Sequence, residues 1–464
     1  MTKEQTRVAT PLFVDISERL GRNPPQLCYG AAVTDVDGDG DFEIFVTGFG
    51  RPCQVLKWTG DAFVDIADAT LRNTGRQAIG VAAADIDGDG REEIYVLNAD
   101  NFGGRKSVGD KLFKWLDGRW IDLFALPENQ HVQNRFNGRS VGVVDRLGNG
   151  RYGFFVANYM GPMRLFELIN GSLELIDAAP EFGMNRVTGG RAVLCAPLCS
   201  ERTDVFLNNE NGPNYLFCNN GDGTFTECAD EAGVSDPLEH GRGVAVLDAD
   251  GDGSLDLLSG NWDGPNRLFL QESPRRFVNR APAEIAYPAP VRTVIAADFD
   301  NDGGDEIFFN NMKHPNRLFG RRSGEWVLLN AGDALEPDGS GTGAVIGAFD
   351  GTGRLQLLIM HGESMPQPLS LYAAPANGNH WLRVLPLTQA GAPARGALVR
   401  LHSEGRVQSR VVCAGSGYLC QMEPVAHFGL GAVAAAEKIE VRWPDGAWQT
   451  ITPPTVDAQI VVRR

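Results

Sequence analysis

No apolar run in these 464 residues approaches the roughly eighteen to twenty needed to cross a bilayer as a helix, so no membrane span is expected. The opening MTKEQTRVATP lacks the continuous apolar core of a secretion signal. Taken literally, that places the chain in the cytoplasm; the alternative is a secreted or periplasmic protein with an unrecorded leader. A basic footprint is also missing: 42 basic residues face 59 acidic ones, for a net charge of -17. That balance argues against generalised nucleic-acid binding. The eight cysteines are too sparse for a disulfide scaffold and do not decide the compartment. Two pairs lie close enough in sequence to bridge, Cys218 with Cys228 and Cys413 with Cys420, and spacing alone settles neither. Finally, there is no His-Glu-x-x-His and no Gly-x-x-x-x-Gly-Lys-[Ser/Thr] nucleotide loop.

What is present is a repeat. Seven times, at intervals of fifty to sixty residues, an apolar stretch runs into an acidic or formerly acidic loop, with first positions at 35, 85, 145, 195, 248, 298 and 348. Four copies read Asp-x-Asp-x-Asp-Gly-x-x-[Asp/Glu]. Their acids are Asp35, Asp37, Asp39 and Glu43; Asp85, Asp87, Asp89 and Glu93; Asp248, Asp250, Asp252 and Asp256; and Asp298, Asp300, Asp302 and Glu306. The other three have decayed. The copy at 145 keeps its first acid, that at 195 has cysteines at 195 and 199, and that at 348 keeps only Asp350.

Alternate carboxylates around a tight glycine turn suit calcium, a hard cation that takes six to eight oxygens, one of them from a backbone carbonyl. Position 7 would supply that carbonyl. It is Asp41, Arg91, Ser254 and Gly304, and such indifference to side chain fits a main-chain ligand. An EF-hand would need an acid at position 12, where Val46, Val96, Ser259 and Phe309 stand instead. Four calcium ions are therefore expected, and they would offset about half of the net charge.

A period this long, with several short apolar runs per unit, is that of a four-stranded propeller blade. Seven units predict an all-β, seven-bladed propeller over residues 1–374, followed by a linker at 375–379 and a second domain at 380–464. In the second domain, apolar runs at 381–385, 397–401, 407–412, 438–442 and 459–462 predict a small antiparallel sandwich or barrel. A closed ring must join its ends, because an open blade leaves unpaired edges. The segment 12–16 (LFVDI) resembles a fourth strand, which the last repeat lacks.

If the apolar strand before each loop is innermost, its start lies at the rim opposite the calcium loops. Six residues before the loop stand Tyr29, Ile79, Arg139, Gly189, Arg242, Arg292 and Thr342. Three arginines should thus converge, with Trp262 and Asp263 on a nearby loop, in a place suited to an anion. Inter-blade ion pairs are the competing use of those arginines. His240, His361 and Glu363 fall at the same rim and are the acid–base candidates should the protein be an enzyme. Gly417, Tyr418 and the residues 427–429 are read mainly as turn and half-buried positions, with a ligand site as the alternative.

The loops resemble those of FG-GAP or VCBS repeats, the blades of the integrin α-subunit propeller. The words GPNRLF at 264–269 and NNGDGTF at 219–225 carry the likeness. The tail words NHWLR (379–383), GSGY (415–418), HFGLG (427–431) and VRWPDG (441–446) resemble the ASPIC/UnbV domain, and the combination resembles the cartilage acidic protein family. The resemblance implies calcium binding and interaction with other molecules; the expected partner is an unknown protein, a glycan or a small anionic ligand. The alternative function is an enzyme of a biosynthetic pathway with an anion-binding site at the rim opposite the calcium loops.

Overall fold

Small and β-branched residues fill the first strand of each repeat because seven such strands crowd one axis. The computed structural model describes residues 10–363, 365–453 and 455–464. The innermost strands are Ala31–Thr34, Gln77–Ala84, Gly138–Val144, Val187–Ala196, Gly241–Leu247, Val291–Ala297 and Gly341–Gly347. Each packs beside the next, and the last beside the first, so the ring closes. Outward from each run three further antiparallel strands in chain order, giving seven four-stranded units, here blades 1 to 7. Blades 3 and 4 fuse into one eight-stranded sheet, because Gly153–Pro162 overshoots and pairs with Val187–Ala196. Val14–Asp15 supplies the fourth strand of blade 7, pairing Val14 with Ala373 and Asp15 with Tyr372.

Polar residues recurring in the repeats tie each blade together. Asn214, Asn266 and Asn316 each accept the N–H of the residue five earlier at 2.8–3.0 Å and donate across the blade to Val234, Ile285 and Ala334. Buried backbone groups at the strand turns are satisfied in this way.

The tail domain is two sheets around a core that includes Trp443, Phe428 and Val441. It departs from the expected antiparallel arrangement: His380–Leu387 pairs in parallel with Ala458–Arg463. Two strands were also not foreseen, Ala426–Gly431 and Trp448–Ile451. The first is interrupted by glycines and the second is a half-exposed polar edge, so neither carries a strong strand signal. Of the candidate bridges, Cys218–Cys228 is formed. Cys413 and Cys420 are free thiols, and Cys413 Sγ lies 3.3 Å from Ser416 Oγ instead.

Between 411 and 426 the tail sends a loop into the propeller channel. Ala414 O accepts from Val143 N at 2.7 Å, Gly417 exchanges two bonds with Val244 at 2.6 and 3.0 Å, and Gln421 N donates to Ala31 O at 2.9 Å. Gly415, Leu419 and Glu423 reach Cys195, Val81 and Ile346 in the same manner. The fit is close: a Cβ on Gly30 would lie 2.2 Å from Leu419 O.

Arg395 anchors the loop's base. It is fully buried, pairs with Glu92 and donates to Val33 O and Cys413 O, both at 2.9 Å. Replacing one partner of such a pair strands the other charge, at a cost of about 3–5 kcal/mol. Arg395→Met is therefore expected to lower the unfolding midpoint sharply, whereas Arg395→Met with Glu92→Leu should recover much of the loss. Chemical denaturation of both variants checks this, and equal stability of the two would contradict the account.

Candidate functional site

Each acidic loop is built by its own carboxylates. The first aspartate accepts backbone N–H groups across the turn: Asp35 takes Gly38 at 2.6 Å and Gly40 at 3.0 Å, and Asp85, Asp248 and Asp298 repeat the pattern. The ninth residue spends one oxygen on the loop's second N–H, as in Glu43 to Val36 at 2.7 Å and Glu306 to Phe299 at 3.0 Å. The remaining oxygens of Glu43 and Glu306 are buried with no hydrogen-bond partner among the described residues. In all four loops, three carboxylates bring one oxygen apiece within 4.8 Å of one another. That spread suits ligands about 2.4 Å from a shared calcium, and the donors are all oxygen, so the residues fit the ion.

The metal-free cages are costly. Burial, together with neighbouring carboxylates, pushes Glu43 and Asp256 up to about 7 and Glu93 and Asp298 up to about 8. Two cages hold an ammonium group. Lys114 Nζ lies 2.7, 2.9 and 2.8 Å from Asp87, Asp89 and Glu93, and Lys57 sits among Asp37, Asp39 and Glu43. Arg322 stands farther off in blade 6, at 3.3–3.9 Å, and no basic side chain is paired with the blade 5 acids among the described residues.

The decayed loops hold their turns with fewer acids. In blade 4 the buried Asp204 takes Cys199 N, Ser200 N and Asn219 N at 2.6–3.0 Å, and in blade 7 neutral Gln356 keeps the bond to Phe349 N at 2.7 Å.

At the other end of the inner strands lies a cavity of 650 Å³. Six of the seven aligned positions line it: Tyr29, Ile79, Arg139, Arg242, Arg292 and Thr342. Blade 4 contributes Arg191 in place of Gly189. Ala196 pairs with Asp204 as Leu247 pairs with Asp256 in blade 5, so the inner strand of blade 4 ends two residues later than a count from Cys195 gives, and Arg191 is the equivalent of Arg242.

The four guanidiniums lie over aromatic rings: Arg191 is 4.2 Å from the Tyr159 centroid, Arg292 is 4.5 Å from Trp262, and Arg139 and Arg242 lie 5.3 and 5.4 Å from Phe102 and Trp262. Part of their charge is used between blades, as the competing reading held. Glu210 bridges Arg191 and Arg242, and Arg292 pairs with Glu363. Burial alone would raise Glu210, but the two arginines outweigh it and hold it near 2.

Three sequence candidates do not reach the cavity. Asp263 and His240 are exposed and outside the lining, and His361 is buried against Glu336 Oε2 at 3.1 Å and Pro368 O at 2.7 Å. Glu363 does line it, held by Arg292, with its N–H donating to the Tyr29 hydroxyl at 3.1 Å. The tail loop closes the floor with Tyr418 and Leu419. Tyr418 is 3% exposed, so it is a buried cavity residue and not the half-buried turn position expected for it. His427, by contrast, is remote from the mouth, with Nε2 2.7 Å from Asn301 Oδ1 beside the blade 6 loop.

Family models for the FG-GAP-like repeat match residues 35–96, 201–259 and 248–309, and the ASPIC and UnbV model matches residues 387–464. Cartilage acidic protein 1 of Xenopus tropicalis is 48% identical over 479 residues, covering 94% of this chain and 74% of that protein. The Homo sapiens protein of the same name is 49% identical over 486 residues, covering 96% and 73%. Among solved structures, BBS1N in complex with ARL6DN aligns at 12% identity with a TM-score of 0.49, over 79% of this chain and 98% of that one.

Two outcomes follow from the cages. Acids whose folded pKa is raised bind more protons folded than unfolded, so the metal-free fold loses stability as pH climbs from about 4 through about 8. The chelated protein should melt at lower temperature at pH 8 than at pH 5, and added calcium should flatten the curve; a chelated protein with no such slope would contradict the crowding. Separately, Lys57→Met should tighten calcium at blade 1 by about tenfold, near 1.4 kcal/mol, read by calorimetry against wild type, and unchanged affinity would show that the ammonium does not compete.

Proposed function

The chain belongs to the family of cartilage acidic protein 1, and we propose that it is an interaction module braced by calcium, with an anionic ligand held at the arginine-lined mouth. The observation that carries this is the placement of two unlike sites at the two ends of the same strands. Cages of hard oxygen donors lie at one rim and stacked guanidiniums at the other. Calcium at blades 1, 2, 5 and 6 would be held by the four acids of each loop and by the carbonyls of Asp41, Arg91, Ser254 and Gly304. Arg139, Arg242, Arg292 and Trp262 receive the ligand.

An enzymatic reading has lost two of its three acid–base candidates, since His240 and His361 do not face the cavity. Binding is therefore the reading supported best. The relatives' name refers to cartilage, which supports a secreted location over the cytoplasmic one. No helix of the described residues is long and apolar enough to cross a membrane.

Metal analysis after dialysis against calcium should find four ions, with chelation lowering the melting temperature by mass action. Two ions or fewer, or an ion beside Asp145, would count against the assignment. At the mouth, Arg242→Ala with Arg292→Ala should abolish binding of anionic ligands that the wild type retains, with melting in calcium checked to separate lost binding from lost fold. Equal binding by both proteins would remove the mouth as the site.

A further inference from the structure

We infer that the mouth takes a small organic acid with an apolar body, and that Tyr418 and Leu419 of the tail domain are part of its binding surface. This rests on the anionic-ligand reading above and adds the ligand's chemical class and the second domain's share in the site.

Charge defines one half of the cavity. Four guanidiniums are gathered there; Glu210 and Glu363 pair with three of them, and Asp100 also lines the cavity with its carboxylate bonded to Ser107. Arg139 is the cation left over. Its guanidinium donates to the carbonyls of Gly138 and Phe102 and pairs with no carboxylate among the described residues. The Nε–H groups of Arg191, Arg242 and Arg292 are buried without an acceptor among the described residues. Arginine stacked on an aromatic ring keeps its N–H edge free for an acceptor in the guanidinium plane, the geometry that a carboxylate matches. Tyr418 adds a hydroxyl at the floor, 3.3 Å from Arg191 Nη1. Burial alone would raise this phenol, but Arg191, Arg139, Arg292 and Arg242 together hold it below the usual tyrosine value.

The other half is apolar. Phe49, Ile79, Ala99, Phe102 and Leu419 form it, and Phe49 packs on Tyr29 with ring centroids 5.0 Å apart. An inorganic anion would leave this wall in contact with water, whereas an organic acid covers it while its head meets the guanidiniums. The 650 Å³ of the cavity lies within the range of small-molecule sites, about 300–1,000 Å³. A neutral glycan would leave the guanidiniums without a counter-charge.

Calorimetry in calcium with 4-phenylbutyrate, its neutral amide and inorganic sulfate tests the class. The carboxylate should bind, with the amide and sulfate each weaker by about tenfold or more. Phe102 is 68% exposed, so Phe102→Ala should leave the fold intact and weaken the carboxylate several-fold. Tyr418→Phe should weaken it as well. Glu363→Gln frees Arg292 and should tighten it, a gain that misfolding cannot mimic. Sulfate binding as tightly as the organic acid, with loss in the Arg242→Ala and Arg292→Ala protein, would overturn the organic-acid class and leave the anionic mouth standing. Failure of both anions to bind would overturn the class together with the mouth. Carboxylate binding indifferent to Phe102→Ala and Tyr418→Phe would place it elsewhere and overturn the inference.

Discussion

Seven inner strands facing one axis leave seven rows of backbone N–H and C=O groups turned into a channel, and the rest of this structure follows from how those groups are satisfied. A row that meets neither water nor partner costs free energy for each orphaned group. Here the tail loop runs down the channel and exchanges hydrogen bonds with inner strands of blades 1 to 5 and 7. Gln421 does so with its side chain as well, taking Ala83 N at 2.8 Å and donating to Ala83 O at 3.1 Å, so that one amide imitates a strand. The tail is therefore an internal part of the propeller and not a bead on a linker.

The same docking draws the tail onto the acidic loops. Gly429 N donates to Asp298 Oδ2 at 3.1 Å, Arg410 pairs with Asp305 at 2.7 Å, and Asn379 donates to Asp300 O at 2.9 Å. Glu92, the partner of Arg395, is next in sequence to the cage residue Glu93. Loop shape is set by backbone N–H groups bonded to carboxylates, and those bonds remain where the acids have gone. Asp204 in blade 4 and Gln356 in blade 7 keep such bonds. Extra carboxylates beyond that need are the ones that raise one another's affinity for protons, and they are the cost that a divalent cation would offset.

Legibility in the sequence followed locality. The repeat could be read because a turn with fixed donors and acceptors demands the same residue types at the same spacing in every copy. The mouth could be read because strand phase counts backward from that turn, and six of the seven positions so counted line the cavity. It missed Arg191 because the blade 4 loop has lost the acids that mark its first position, and the strand there ends at Ala196, two residues later than the count from Cys195. His361 was misjudged for a related reason: its ring turns toward Glu336, 25 residues away, and only the folded blade brings the two together. Tyr418 was least legible. Its place depends on contacts with strands some 175 to 390 residues distant, such as Gly417 with Val244 and Gln421 with Ala31, and Gly415-Ser-Gly-Tyr418 reads locally as a turn. In the tail, a parallel pair between the domain's first and last strands is equally invisible to a local pattern.

These contacts bear on how the two rims communicate. Each inner strand begins at the mouth and ends at a loop, and a seven-residue strand spans about 23 Å. The tail loop is bonded along that length, so its position is set from both directions. On the proposed reading, calcium favours the loop geometry on which the tail docks, and docking places Tyr418 and Leu419 beneath the arginines. A ligand that touches those two residues then favours the docked tail, and through it the loops. Linkage makes such an effect reciprocal: whatever calcium adds to ligand affinity, the ligand must add to calcium affinity. The physical carrier is a single segment of chain with two sets of partners, which is a more specific statement than proximity between the sites.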